Sequence, residues 1–230
     1  MIAFPGTPPT GEGLPGVSRE SEAHGMKRSL KEGAPRKQAC GRPATVYCAG
    51  VRKMKMTRPE PGEYAAYYEK YISLVPGNDI TSALEKQRVQ TMQLLAGRSE
   101  RESNFRYAAD KWSVKDVLGH ISDSERIFTY RALRIARADQ TPMEGFEQDD
   151  YVRSGGFNER PLASLVEEFA NVRSATLSFF RSLGKEAWLL RGTANKNEVS
   201  VRALAYITAG HELHHRSILE ERYFSAIPRA

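Results

Sequence analysis

From Glu60 onward, apolar residues recur at the three- and four-residue spacing of amphipathic helices, and no stretch alternates convincingly as a strand would. Asp79 is placed to cap a helix running to about Ala96, with Ile80, Leu84, Met92 and Leu95 inward. Ser113, with Asp116 three residues on, resembles a capping box and opens a long helix to about Ala138. Its apolar face is Val114, Val117, Leu118, Ile121, Phe128 and Ile135. Pro161 suits the first turn of a third helix reaching about Leu183, and Ser200 caps a fourth that ends near Phe224. Ahead of them, residues 63–74 form a short aromatic-rich segment that Pro76-Gly77 breaks, with Tyr64, Tyr67, Tyr68 and Tyr71 spaced for one face. Four helices that each must bury one stripe predict an all-α four-helix bundle. Residues 139–158 make a connection longer than compact domains usually need. It is either functional or a crossover that leaves the second and third helices parallel.

Residues 1–56 read differently. Within 1–55 there are 8 Gly and 6 Pro and no periodicity, which predicts either a disordered tail or a mis-assigned start, since Met54 and Met56 lie just before the globular pattern begins. The domain is expected over 57–230. The net charge of +6 also belongs to the tail: residues 1–55 hold 10 Lys and Arg against 4 Asp and Glu, and the other 175 residues hold 24 of each. A basic folded surface for nucleic acid is therefore not expected. Both cysteines, Cys40 and Cys48, lie in the same segment without metal-ligand spacing, so the domain has neither a disulfide framework nor a thiolate of its own. With no apolar run of 18 residues and no secretory layout, a cytoplasmic protein with no membrane contact is expected.

The domain holds four histidines, three of them within five residues. His211 and His215 are four apart, so they stand about 40° apart on one helix face. That face also carries Leu204, Ile207 and Ile218. Two imidazoles on a core-facing stripe need polar partners, or each buries an unsatisfied ring nitrogen. A divalent metal meets that need, and His120 on the second helix is the remaining histidine able to complete the set. Both sites read Gly-His, Gly119-His120 and Gly210-His211. A glycine inside a helix costs about 1 kcal/mol against alanine, and close approach of the two helices at the metal level would account for both. His214 points away from its neighbours and is read as an outer contact or solvent-facing.

The run from His211 to His215 also matches H-E-x-x-H, the zinc-protease pattern. No histidine follows in the 15 remaining residues, and Glu220 and Glu221 sit on the same helix, so a protease is rejected. Glu212 is read as a general base or outer-shell acceptor, or else as a solvated helix-face carboxylate. Arg131, about 20° from His120 around the helix, is either an anion contact or a surface arginine.

Two stretches carry a family likeness. Lys111 to His120, KWSVKDVLGH, and Ala203 to Ile207 leading into Gly210 to His215, resemble the signatures of the DinB-like superfamily over about residues 57–224. The resemblance implies an up-down-down-up four-helix bundle with a long crossover between helices two and three. It also implies a metal site of three histidines, which map onto His120, His211 and His215. The implied cofactor is one divalent ion, zinc or nickel. Activities known among relatives imply a hydrolase or thiol S-transferase acting on a small electrophile, with a small-molecule thiol as cosubstrate in the latter. The competing expectations are a non-catalytic metal-binding or stress-response bundle and a nucleic-acid-associated damage-response protein. A homodimer is compatible with either enzyme reading.

Overall fold

The computed structural model describes residues 57–227. The expectations for residues 1–56, Cys40 and Cys48 included, lie outside the described residues. Four long helices dominate: α1 (Ile80–Leu95), α2 (Val114–Ala136), α3 (Leu162–Arg181) and α4 (Val201–Ile218). They pack as a four-helix bundle in which α2 lies against both α3 and α4, and α1 lies against the same two. A π-helical stretch, Leu219–Phe224, continues α4.

Each helix begins where a side chain can satisfy its free amides. Asp79 accepts from the Ser82 amide at 3.0 Å, and Ser200 accepts from the Ala203 amide at 3.0 Å. Ser113 and Asp116 form a complete capping box, each side chain accepting from the other's amide. α3 has no local side-chain cap behind Pro161. Its Leu162 amide donates instead to Glu100 Oε1 at 2.9 Å, from a residue 62 positions earlier. The inward faces are as the periodicity predicts: Ile80, Leu84, Leu95 and all six apolar residues expected on α2 are buried. Met92 is only half-buried.

Two expectations are corrected. Residues 139–158 are not loop throughout, because Gln148–Ser154 forms a short helix and Phe157–Glu159 a 3-10 turn. Seven residues give too few repeats for a periodicity reading to register. Between α3 and α4 there is also a β-hairpin, β1 (Arg191–Ala194) with β2 (Asn197–Ser200), paired antiparallel with Arg191 opposite Ser200. Its turn residues Asn195 and Lys196 have φ of 47° and 63°, the type I′ geometry normally marked by glycine. Four-residue strands show only two alternations, and Asn-Lys conceals the turn. The backbone of Met143 joins this hairpin, donating to Thr193 O at 3.0 Å and accepting from the Asn195 amide at 2.8 Å.

The centre of the bundle contains a charged cluster. Arg173 of α3 is fully buried. Its Nε and Nη2 donate to the two oxygens of Glu125 on α2, both at 2.8 Å. Nη1 donates to Leu84 O on α1 at 2.9 Å, and Nη2 also to Glu212 on α4 at 2.6 Å. Thr91 of α1 donates to the other oxygen of Glu212 at 2.5 Å. All four helices thus share one hydrogen-bonded network around a single guanidinium. Breaking such a cluster costs more than forming it gains, because the remaining partners are stranded without water.

Candidate metal centre

Where α2 packs on α4, three imidazoles converge. His120 Nε2 lies 3.0 Å from His211 Nε2, which lies 3.2 Å from His215 Nε2. The candidate ligand atoms of all three fall within 4.8 Å of one another. A tetrahedral ion with bonds of about 2.0–2.1 Å places its ligand nitrogens about 3.3 Å apart, close to the two separations found here.

The protonation chemistry points the same way. Burial lowers His120 to about 4. Burial, reinforced by the neighbouring histidines, holds His211 and His215 well below the usual imidazole range. All three rings are therefore neutral at pH 7, each with one ring nitrogen bearing a lone pair. One N–H on His211 can satisfy only one of its two neighbours, so three converging Nε2 atoms leave lone pairs facing each other. A divalent cation removes that conflict, and neutral imidazole is its common ligand. The donor set fits a metal.

The walls are aromatic. The Trp112 ring stands 4.8 Å from His120 and stacks at 6.4 Å on His215. Tyr71 contacts His211 and His214, each at 5.4 Å, and Phe128 meets His211 at 5.6 Å. Tyr71 comes from the short helix Glu69–Ile72, which packs on α4. Gly210 permits that contact, since a Cβ there would lie 2.0 Å from the Tyr71 carbonyl oxygen. At Gly119 a Cβ would meet the Phe157 ring at 2.5 Å. The two glycines therefore serve separate packing contacts, which corrects the expectation that both let α2 and α4 approach. One turn beyond His120, on the same side of α2, the buried Ser124 hydroxyl has no hydrogen-bond partner among the described residues.

The sequence-predicted residues sort cleanly. His120, His211 and His215 are brought together, while half-buried His214 stands outside the convergence against Tyr71 and His215. Glu212 is 1% exposed, so it is no solvated helix-face carboxylate. Both its oxygens accept hydrogen bonds, from Thr91 and from Arg173. Arg131 is 4% exposed, which corrects the surface reading.

A sequence profile of the DinB superfamily matches residues 83–219, a span that includes all three histidines. The chain belongs to the DinB superfamily. Among solved structures, this DinB-superfamily chain is similar to YfiT from Bacillus subtilis, described as a probable metal-dependent hydrolase with an unusual four-helix bundle topology. The TM-score is 0.58 at 13% identity, covering 74% of this chain and 93% of that one. At that identity the likeness shows a shared fold. No curated protein matches the sequence.

Sequence reasoning missed the residues that surround the three histidines. Trp112 sits one place before the Ser113 cap and has no helical periodicity to flag it. Tyr71 was visible only as part of an aromatic run. Arg173 did carry a signal: it occupies an inward position between Phe169 and Leu177, four residues from each, where a charge demands partners.

Proposed function

We propose that this DinB-superfamily chain is a metal-dependent hydrolase of a small molecule, holding one divalent ion, zinc or nickel, on His120, His211 and His215. The carrying observation is the convergence of three neutral Nε2 atoms at 3.0 and 3.2 Å. Three neutral ligands leave the ion its full charge, and it supplies Lewis acidity and water activation of the kind hydrolysis requires. The chain's own part is to hold the rings and limit water. Trp112, Tyr71 and Phe128 shield the histidines. Glu212, adjacent to His211 and locked by Arg173 and Thr91, acts as a positioning residue and not as the base.

Thiol S-transfer is the second reading. No cysteine follows Cys48, so the thiol in such a reaction would be a small-molecule cosubstrate and not a side chain of the domain.

The test is elemental analysis of purified protein beside the His120→Ala and His211→Ala variants, with hydrolysis of an ester and amide panel assayed before and after chelation. One ion per wild-type chain, loss in both variants and chelator-sensitive turnover are expected. Full metal content in both variants refutes the site. Metal binding without turnover on the panel, but with transfer of an added thiol to an electrophile, moves the assignment to the transferase. Metal binding with neither activity makes the chain a metal-binding bundle.

A further inference from the structure

Arg131 is a second unusual cation of this bundle. It lies three turns beyond His120 on α2 and is 4% exposed, yet among the described residues no carboxylate pairs with it. Its Nη2 donates to the Glu144 carbonyl oxygen at 2.6 Å, and its guanidinium faces the Tyr68 hydroxyl. Both partners are neutral. Burying a guanidinium without an anion is expensive, and a fold that does so leaves a charge to be matched by something else. Arg173 shows the contrast, since it is fully buried and meets two carboxylates.

The guanidinium borders a concavity of about 260 Å³. Ile127 and Tyr130 of α2 form one side, and Phe146 and Tyr151 form the other. The rings of Phe146 and Tyr151 stand 5.2 Å apart. The second cation at the rim, Arg134, is already paired with Asp139 at 2.7 Å, and the Glu144 side chain is exposed. The far wall is held in place: Met143 is bonded to the hairpin through both its backbone groups. Gly145 passes so close to Asn195 that a Cβ would lie 2.7 Å from its side-chain oxygen. The long 139–158 connection thus forms one wall of a pre-built pocket.

We propose that Arg131, with the apolar walls Ile127, Tyr130, Phe146 and Tyr151, forms a binding pocket for a small aromatic or branched apolar carboxylate. The guanidinium offers the fork of donors that a carboxylate matches, and the ring-lined walls take the apolar body. The pocket is distinct from the three histidines. Tyr68 links them, with its ring 6.3 Å from that of Tyr71, which contacts His211. As a binding site it stands independently of any chemistry at the metal.

Benzoate and benzamide, of nearly equal shape, are the probes, titrated by ligand-detected NMR into the full chain. Benzoate is expected to bind at least about tenfold more tightly than benzamide. Arg131→Gln should abolish that preference. Tyr151→Ala, which removes a ring that is 45% exposed, should weaken both ligands while keeping the preference. His211→Ala should bind benzoate as wild type does, which keeps this result separate from the fate of the metal site. Equal binding of the two probes by wild type, an undiminished preference in Arg131→Gln, or no benzoate binding at all would each overturn the proposal.

Discussion

Replacing Arg173 by methionine tests the reasoning about the bundle's centre most severely. Methionine fills much of the volume but supplies no donor, so four hydrogen bonds go, two to Glu125 and one each to Leu84 O and Glu212. Among the described residues, two buried carboxylates then lose their one guanidinium partner, and Glu212 keeps Thr91 alone. Removing one member of a buried ion cluster costs about 3–5 kcal/mol, against a total stability of about 5–15 kcal/mol for a typical domain. With a urea slope of about 2 kcal/mol per molar, the unfolding midpoint should fall by about 2 M. Urea titration followed by far-ultraviolet circular dichroism reads it directly. The triple variant Arg173→Met, Glu125→Gln, Glu212→Gln separates stranded charge from lost packing, because it keeps the methionine and removes the carboxylate charges. It should recover at least half of the loss. A midpoint shift under about 0.5 M for the single variant, or a triple variant no more stable than the single, would refute the account. Metal affinity should fall in the single variant as well, since Glu212 follows His211 directly on α4.

Other consequences are simpler. For the metal-free protein, the unfolded chain takes up a proton on His120 below its usual value of 6.5, while the folded site resists until about 4. Stability should therefore fall as pH drops through that window, by about 3 kcal/mol from this residue, and a His120→Asn variant should lack that part of the slope in urea titrations at several pH values. Gly210→Ala should lower the melting temperature by several degrees, because its Cβ meets the unyielding Tyr71 backbone. Gly119→Ala meets a ring that can shift, and should cost less in the same melt. Lys196→Gly should raise stability by about 0.5–1 kcal/mol in a thermal melt, since it relieves a left-handed lysine in the hairpin turn.

Local chemistry made the fold class legible. Asp79, Ser113 with Asp116, and Ser200 cap helices within three residues of themselves, and the inward stripe of α2 follows from a repeat of 3.6. The same logic placed His211 beside His215, because residues four apart on a helix must be neighbours whatever the rest of the chain does. It had no such purchase on the hairpin, whose strands are too short and whose turn lacks glycine.

Pairing across the bundle belonged to the tertiary structure. That His120 Nε2 lies 3.0 Å from His211 Nε2 depends on how α2 packs on α4, which no local spacing fixes. The partners of Glu212 were equally out of reach: Thr91 and Arg173 lie 121 and 39 residues away, and only packing turned that carboxylate from its histidine neighbour toward them. The sequence by itself determined which residues share a helix face, because that is set by covalent geometry. What each face meets was decided by the burial of all four stripes at once, a property of the whole chain.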